Sequence, residues 1–322
     1  MKIFITGITG FVGSSLANEL IKEGHEITGL GRKKKLPNHV NTKCNYIVED
    51  ITKPITLIQA DIVIHAAAQV ADDVPYENHY LNNVIGTKNV INACKDVAQF
   101  ILISTSSVYE FHKNEPYKEN EAGVNFELLS NYGKTKFLAE KELENATNIA
   151  SKIILRPRAI YGVGDTVLLP RLLSLIKGNN IILPAHITEQ ISLTNIKNLI
   201  YAVELCLKLH SKSFLALNIS DEKIYSLKQA LPALINAVQT SPKKTIFIPK
   251  FIWNLLLIIN SKVKFNSKLS IFGSKQITQY ACLNIDLAKF EIGYKPVFNF
   301  YDELIEIRKW YLHDDNSKYL EQ

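Results

Sequence analysis

The chain begins with Met1-Lys-Ile-Phe-Ile-Thr-Gly7-Ile-Thr-Gly10-Phe-Val-Gly13, and this stretch decides the fold. A short apolar run breaks into three glycines spaced three apart and then resumes with apolar periodicity, which predicts a strand, a tight turn and a helix. Gly7 permits the turn, Gly10 lets backbone N–H groups approach a pyrophosphate, and Gly13 lets the helix pack against the strand. The stretch therefore predicts a dinucleotide-binding turn.

The end of the second predicted strand bears on which dinucleotide binds. His25-Glu-Ile-Thr-Gly-Leu30 runs into Gly31-Arg32-Lys33-Lys34-Lys35, without the carboxylate that an NAD site usually places there for the adenosine ribose. An arginine at this position suits a 2′-phosphate. The sequence therefore favours NADP(H), with NAD(H) as the other possibility, and it nominates Arg32 and Lys33 as the phosphate-binding residues. A solvated basic loop before Pro37 is the alternative interpretation.

Composition predicts a soluble, globular protein. The 322 residues are 47% hydrophobic and 21% charged, which disfavours both a disordered chain and an integral membrane protein. The net charge of +6 is taken as mild and scattered, so no nucleic-acid partner is expected. Four cysteines without metal-binding spacing are expected to be reduced core thiols, with no metal ion. No secretory signal precedes the first strand, so a cytoplasmic enzyme is expected.

The longest apolar stretch is Phe251-Ile-Trp-Asn-Leu-Leu-Leu-Ile-Ile259. It is interrupted by Asn254 and is much shorter than the roughly 20 residues that a membrane span needs. A helix that covers the second lobe is therefore expected. Lys262, Lys264 and Lys268 follow it, so contact with a membrane surface is the alternative.

Strands and helices are predicted to alternate up to about residue 160, which is typical of stacked βαβ units and a parallel sheet. The predicted strands are 2–6, 26–30, 45–48, 61–65, 100–104 and 152–155, and the predicted helices are 11–23, 83–96 and 131–148. After Pro157 the pattern loosens, but a helix over 195–209 and a strand over 214–219 still fit the sheet. We therefore expect a doubly wound α/β sheet in residues 1–160, rejoined by 192–220, and a smaller, interleaved substrate lobe in 161–191 and 221–322.

The segment Tyr132-Gly-Lys-Thr-Lys136 places a tyrosine and a lysine four residues apart at the start of a predicted helix. Both side chains would lie on one helix face, where the ammonium favours the phenolate and makes an acid/base catalyst. The pair that starts at Tyr109 has the same spacing but runs into a loop, whereas Asn131 or Ser130 can cap the helix that contains Tyr132. Tyr132 is therefore the candidate, and Tyr109 is expected to pack beside a strand end.

The fifth predicted strand ends in Ser104-Thr105-Ser106-Ser107, where a nicotinamide should lie. A hydroxyl there can bind a substrate oxygen and stabilise its developing charge. Capping of the strand end is the alternative role for most of these four side chains.

A series of motifs extends over nearly the whole chain: Thr6–Gly13, Asp50-Ile51, His65–Ala68, Asn83–Thr87, Ser104–Tyr109, Tyr132–Lys136, Leu155–Pro157, Tyr161–Asp165 and Ile292–Pro296. In this order they resemble the extended short-chain dehydrogenase/reductase superfamily, in particular the NAD-dependent epimerase/dehydratase family. The stretch Leu155-Arg-Pro-Arg-Ala-Ile-Tyr-Gly162 is similar to the 3β-hydroxysteroid dehydrogenase and ketone-reductase branches. The resemblance implies a Rossmann domain, an NAD(P) cofactor, and a homodimer formed through the helices over 83–96 and 131–148.

The resemblance also implies roles for individual residues. Tyr132 would exchange a proton with the substrate, Lys136 would hold the nicotinamide ribose and lower the pKa of that tyrosine, Thr105 would be the catalytic Ser/Thr, and Asn83 would support them. The residues expected at the cofactor are Gly7, Thr9, Gly10, Phe11, Val12, Gly13, Arg32, Lys33, Asp50, Ile51, Ala66, Ala67, Ala68, Ser104, Tyr132, Lys136 and Pro157.

Some positions depart from the pattern of sugar-nucleotide epimerases. Ala159 replaces an asparagine, and Ile191 with Ser192 replaces an arginine-aspartate pair, although a sugar diphosphate needs charged or donating partners. Arg158 and Arg171 could bind an anionic substrate, but surface salt bridges are the favoured use. The other departures are Glu110 and Lys197.

The sequence therefore predicts an NAD(P)-dependent oxidoreductase that interconverts a secondary alcohol and a ketone on a largely apolar or modest-sized small-molecule substrate. One alternative is a nucleotide-sugar epimerase or dehydratase with tightly bound NAD, and another is a cofactor-binding sensor without catalysis.

Overall fold

A computed structural model describes residues 1–71, 74–209, 214–239, 241, 243–263 and 271–313. The strands are β1 (Lys2–Thr6), β2 (Glu26–Gly31), β3 (Asn45–Val48), β4 (Ile62–His65), β5 (Gln99–Ile103), β6 (Ser151–Pro157), β7 (Ile160–Tyr161), β8 (Ile176–Lys177), β9 (Asn180–Pro184), β10 (Ile191–Ser192), β11 (Thr194–Asn195), β12 (Phe214–Ile219), β13 (Ile224–Tyr225) and β14 (Lys244–Ile248). The helices are α1 (Phe11–Lys22), α2 (Tyr76–Tyr80), α3 (Gly86–Ala93), α4 (Asn131–Glu144), α5 (Leu168–Leu173), α6 (Ile196–Leu207), α7 (Leu227–Ala237), α8 (Lys250–Val263), α9 (Ile271–Thr278), α10 (Asp286–Ile292) and α11 (Phe300–Leu312).

A seven-stranded parallel sheet forms the centre of the molecule, in the order β12-β6-β5-β4-β1-β2-β3. Strands β4 and β5 are buried along their whole length, because helices cover both faces of the sheet. Leu16 of α1 and Leu199 of α6 belong to the core on one face. Val90 of α3 and Leu143 of α4 belong to the core on the other. The predicted doubly wound, Rossmann-type fold is therefore confirmed.

The strand predictions agree with the structure to within two residues, but two helices differ in extent. The helix predicted over 83–96 is instead α2, one turn of π-helix (Leu81–Ile85) and α3. It ends early because Cys94 is extended and Asp96 takes a left-handed φ of 58°. Helix α4 ends at Glu144, four residues before the predicted end, where Asn145 forms its C-cap.

The chain leaves the sheet after Pro157, builds part of a second lobe, and returns as β12, which pairs with β6 in parallel. The lobe contains a three-stranded sheet, β14-β9-β8. Leu183 of β9, Leu231 of α7 and Phe300 of α11 share its hydrophobic core. All four cysteines are buried and unpaired. Among the helices in the described ranges, none has the length and apolar character needed to cross a membrane.

Candidate active site

The glycine turn joins β1 to α1 at the carboxyl end of the sheet. Gly7 has a left-handed φ of 72°, and a Cβ there would lie 2.7 Å from the Ala67 nitrogen. A Cβ on Gly13 would lie 2.3 Å from the Gly7 carbonyl oxygen, so α1 begins directly against the turn. Gly10 caps α1 without a side chain, so the first amides of the helix face the turn. The backbone here fits a pyrophosphate group.

Two cavities meet at this turn, and both are lined by Gly7, Gly10, Ala66 and Ala68. The small cavity, of about 280 Å³, adds the predicted cofactor residues Thr9, Arg32, Lys33, Asp50, Ile51 and Ala67. The large cavity, of about 380 Å³, adds Phe11, Val12, Gly13, Ser104, Tyr132 and Pro157, together with Thr105. An elongated dinucleotide therefore has a continuous path along the carboxyl ends of the strands.

Arg32 and Lys33 follow β2 directly and line the small cavity as exposed side chains. Two carboxylates, Glu49 and Asp50, also line it, but they follow β3 and accept hydrogen bonds from the backbone amides of Thr56 and Thr52, each at 3.0 Å. The end of β2 itself thus presents positive charge to a ligand.

Helix α4 brings Tyr132 to the large cavity. The Ser130 hydroxyl accepts a hydrogen bond from the Gly133 amide at 3.0 Å, so Ser130 is the N-cap, and Asn131, the other predicted cap, is the first residue of the helix. A side chain at Gly133 would meet the Ser107 carbonyl oxygen at 2.1 Å, so α4 abuts the turn that carries Thr105. Tyr132 and Thr105 therefore line the same cavity.

Lys136 lies one turn further along α4 and is only 1% exposed. Its ammonium donates a hydrogen bond to the Ile103 carbonyl oxygen at 2.8 Å, at the end of β5. Burial lowers the pKa of Lys136 to about 8, and the nearby Glu140 carboxylate opposes that shift. The side chain therefore stays mainly cationic at neutral pH, just beneath the cavity that Ile103 lines.

A buried polar network extends from Lys136 and was not predicted from the sequence. Glu140, the next residue on that helix face, accepts hydrogen bonds from Arg156 at 2.7 and 3.0 Å and from the Ser104 hydroxyl at 2.5 Å. Arg156 also donates to the Tyr109 hydroxyl at 3.1 Å. Tyr109 is buried beside the strand ends, as expected. The available sequence signal was the four-residue spacing of Tyr132, Lys136 and Glu140.

Asn83 lies on the π-helical turn between α2 and α3 and is buried. Its amide nitrogen donates to the Thr135 hydroxyl at 3.0 Å, and its oxygen accepts from the Gln69 amide at 2.8 Å. It thereby links the segment after β4 to α4, one residue before Lys136. Neither Asn83 nor Lys136 is among the residues that line the two cavities, whereas the other predicted site residues are.

His65 ends β4 beside the glycine turn. Its ring nitrogens lie 2.6 Å from the Thr6 hydroxyl and 2.9 Å from the Thr87 hydroxyl. Burial, reinforced by the positive charge of Lys136, lowers the pKa of His65 to about 3. The imidazole is therefore neutral at physiological pH and joins β1, β4 and α3.

The far wall of the large cavity lies in the second lobe and is mostly apolar. It consists of Val167, Leu168, Leu172, Ile191, Leu193, Leu227, Ala230, Leu231, Leu234, Ile277 and Phe300. Arg158 and Arg171 line the same cavity. The expectation of a surface salt bridge is wrong for Arg158, which is 4% exposed and packs 4.8 Å from the centre of the Phe111 ring.

Three residues that depart from the pattern of sugar-nucleotide epimerases have no visible role in binding a diphosphate. Lys197 forms an ion pair with Glu303 at 3.0 Å, and Glu110 lies 2.5 Å from His112. Ala159 has a left-handed φ of 42° and lines the cavity without a donor side chain.

Comparison with known proteins places the chain among dinucleotide-dependent enzymes. The sequence profile of the NAD dependent epimerase/dehydratase family matches residues 3–219. The chain is 32% identical over 181 residues to 2-alkyl-3-oxoalkanoate reductase from Stenotrophomonas maltophilia (strain K279a), covering 53% of this chain and about half, 54%, of the relative. It is 25% identical over 319 residues to the enzyme of the same name from Shewanella oneidensis, covering 91% and 82% of the two chains.

The fold is similar to that of UDP-glucuronic acid 4-epimerase from Bacillus cereus, whose crystal structure is a complex with NAD. The TM-score is 0.74 at 22% identity, and the match covers 97% of this chain and 98% of the epimerase. At this level of identity the likeness concerns the fold.

Proposed function

The chain belongs to the NAD-dependent epimerase/dehydratase family, and from this premise we propose that it is an NADP(H)-dependent oxidoreductase that interconverts a ketone and a secondary alcohol. The observation that carries the proposal is the large cavity, which runs from Thr105 and Tyr132 to an apolar wall in the second lobe. Such a wall suits a substrate with alkyl chains. The names of the two reductase relatives describe that kind of compound. Arg158 and Arg171 supply positive charge for a substrate carboxylate.

The residues around the glycine turn would hold the cofactor. The backbone from Gly7 to Gly13 would bind the pyrophosphate, and Ala66 to Ala68 would lie beside it and the adenosine. Asp50 and Ile51 would contact the adenine, and Pro157 the nicotinamide. Arg32, with Lys33, would bind the 2′-phosphate, which is the reason to prefer NADP(H) to the NAD that the family name indicates.

A nicotinamide bound in the large cavity would supply or take up the hydride at the carbonyl carbon. During reduction, Thr105 donates a hydrogen bond to the ketone oxygen, and Tyr132 gives its phenolic proton to the same oxygen. Lys136 stabilises the resulting phenolate by its positive charge and holds the ribose, while Asn83 fixes α4 in position. Solvent returns the proton to Tyr132, and oxidation of the alcohol reverses these steps.

The site offers little to a sugar diphosphate. Ala159 and Ile191 carry no donor side chains, and Ser192 is not among the residues that line the large cavity. A diphosphate needs several charge-assisted hydrogen bonds, so the cavity favours an apolar ketone over a nucleotide sugar.

The remaining parts of the proposal rest on the family for the dimer and on the sequence pattern for the location and the domains. We infer a cytoplasmic homodimer whose interface uses α3 and α4. We also infer a dinucleotide-binding domain of residues 1–160 and 192–220, with the rest of the chain as the substrate lobe. Chemical crosslinking and the mass of the purified protein in solution test the dimer.

The cofactor state of the purified protein tests the proposed reaction class. After denaturation, the released nucleotide is identified, and the native protein is titrated with NADPH and NADH. We expect a protein that retains no stoichiometric NAD and prefers NADPH. Retention of one NAD per chain would overturn the proposal in favour of an epimerase or dehydratase, because such enzymes recycle a bound cofactor.

Arg32→Ala tests how the preference for NADPH arises. Loss of a charge-assisted contact with the 2′-phosphate should weaken NADPH binding by about 10- to 100-fold and leave NADH binding unchanged. The matched control is Lys35→Ala, which removes a charge from the same basic run at a residue that does not line the small cavity. Equal weakening of NADPH and NADH by Arg32→Ala would contradict the assignment.

A further inference from the structure

Helix α8 on the second lobe exposes an apolar stripe. The stripe consists of side chains that are between 38% and 73% exposed, namely Phe251, Ile252, Leu255, Ile258 and Ile259. Their spacing puts them on one side of the 14-residue helix. The opposite side buries Trp253 and Leu257, and the Trp253 indole donates to the Ser274 hydroxyl at 2.7 Å. The helix is therefore anchored to the lobe on one side and apolar on the other.

The segment around this helix is strongly basic. Residues 223–285 contain nine lysines and no arginine, aspartate or glutamate. The whole chain has 37 basic and 31 acidic residues, so the remainder carries 28 basic against 31 acidic residues, a net charge of −3. The positive charge is thus concentrated in one segment, and the expectation that it is scattered is wrong. The nine are Lys223, Lys228, Lys243, Lys244, Lys250, Lys262, Lys264, Lys268 and Lys275, of which Lys264 and Lys268 lie outside the described residues.

Two of these lysines lie close to the stripe because they are near it in the sequence. Lys250 is the first residue of α8, and Lys244 begins β14, the strand that leads into it. Both are exposed, and within the described ranges neither forms an ion pair with a carboxylate. Strand β14 also leaves Ile246 and Phe247 partly exposed. Apolar and basic groups therefore lie together on the surface at this end of the lobe.

We propose that the outer face of α8 docks on an anionic lipid surface. Interfacial helices combine an apolar face that enters the headgroup region with lysines that are attracted to anionic lipids. A helix of 14 residues is too short to span a bilayer, so it lies in the plane of the surface.

Other occupants fit this face less well. A second copy related by two-fold symmetry would set two acid-free, basic segments against each other, which is repulsive. The five side chains of the stripe also form a patch that is small compared with the roughly 800 Å² per partner that a stable interface buries. A nucleic acid would use the lysines but would gain nothing from the apolar stripe.

Helix α8 is linked to the large cavity through α9, which supplies both Ser274, the acceptor of the Trp253 indole, and Ile277 in the cavity lining. Docking through α8 would therefore act on a neighbour of that cavity. The docking itself does not depend on the reaction proposed above, so the two can fail separately.

Vesicle binding of the full chain tests the proposal. We expect sedimentation with vesicles of phosphatidylcholine and phosphatidylglycerol in a ratio of roughly 7:3, and at least about tenfold weaker binding to phosphatidylcholine alone. Raising the salt from about 0.1 M to about 1 M should weaken binding, because it screens the lysines. Lys244→Gln and Lys250→Gln should each weaken binding to the anionic vesicles by roughly five-fold.

The apolar stripe is tested by the triple change Phe251→Gln, Leu255→Gln and Ile258→Gln, which should abolish binding. The matched control is Leu57→Gln, Val124→Gln and Leu128→Gln, at apolar side chains that are 61–70% exposed elsewhere on the surface. Circular dichroism and the thermal midpoint check that both variants fold. The emission maximum of a polarity-sensitive dye attached to the cysteine of Leu255→Cys should shift to the blue when vesicles are added. The same dye on Leu57→Cys should show no shift. This measurement needs only one substitution in each variant.

Three results would overturn the proposal. The first is a wild-type chain that fails to bind the anionic vesicles, and the second is equal binding by the stripe variant. The third is a soluble dimer that the stripe variant dissociates, which would assign α8 to a second copy of the chain.

Discussion

At the scale of single residues, Lys136 is buried, which favours its neutral form, although its proposed role needs the charged form. Its ammonium is removed from solvent beneath the large cavity, which lowers its pKa to about 8, but a neutral amine could not stabilise a phenolate. The Glu140 carboxylate, one turn along α4, and the Ile103 carbonyl oxygen favour the charged form. Arg156 in turn compensates the charge of Glu140 at 2.7 Å. Charge balance in this network thus preserves a cation where the proposed chemistry needs it.

The proposed proton donor gives the first prediction at this scale. Tyr132→Phe removes the hydroxyl that would protonate the ketone, so kcat should fall by about 10²- to 10⁴-fold. NADPH binding, followed by fluorescence titration, should stay nearly unchanged because the ring is retained. Tyr80→Phe, at an exposed tyrosine, is the control and should keep full activity. Turnover by Tyr132→Phe at the rate of the control would remove Tyr132 from its role.

A second prediction concerns His65 and acid stability. The folded protein keeps this imidazole neutral down to pH about 3, whereas in the unfolded chain it binds a proton below its ordinary pKa of 6.5. Between these values the unfolded state binds more protons, so the free energy of unfolding falls as the pH is lowered. Urea unfolding should show a loss of about 1 kcal/mol per pH unit between pH about 6 and about 5 that His65→Asn lacks. Above pH about 7 the slopes of the two proteins should coincide. Identical slopes between pH about 6 and about 5 would refute the prediction.

At the scale of elements, two glycines where β1 meets α1 allow an effect on stability to be distinguished from an effect on cofactor binding. Gly13→Ala would place a methyl group 2.3 Å from the Gly7 carbonyl oxygen, so α1 must move and stability should drop by about 1–3 kcal/mol. Gly10→Ala would place its methyl at an ordinary 3.4 Å from the same oxygen, but on the wall of both cavities. It should therefore leave the unfolding midpoint nearly unchanged and weaken NADPH binding. Urea unfolding and cofactor titration of both variants measure this, and a reversed pattern would contradict the geometry.

The sequence predicted the elements of the sheet well because buried parallel strands are continuous apolar runs with glycine or polar residues at their ends. It failed at the ends of two helices, which the apolar pattern does not mark. The apolar pattern over 83–96 is helical throughout, but the π-helical turn at Asn83 and the extended Cys94 depend on packing and hydrogen bonds from distant segments. The end of α4 was missed because Asn145, a residue tolerated inside helices, caps it.

The site was predicted as far as its residues lie near the glycine turn or on α4. Spacing along a helix placed Tyr132 and Lys136 on one face, and the structure shows that arrangement. The network of Glu140, Arg156 and Ser104 joins three elements, and no local pattern states which strand faces which helix. The burial of Arg158 could not be predicted either, because an isolated arginine in a sequence is far more often exposed.

At the scale of the whole molecule, the large cavity belongs to both lobes, since the turn after β5 supplies Thr105, α4 supplies Tyr132, and the second lobe supplies the apolar wall. Chemistry and substrate choice should therefore be separable. Ala230→Leu on α7 narrows the cavity, so KM for the proposed ketone substrate should rise by about 10-fold or more for long alkyl chains and little for short ones. NADPH binding should not change, because Ala230 lies on α7 in the second lobe and does not line the small cavity. Ala233→Leu, one turn along the same helix and outside the lining, is the control and should leave KM unaltered. An equal rise for short and long chains, or for both variants, would show that α7 does not select the substrate.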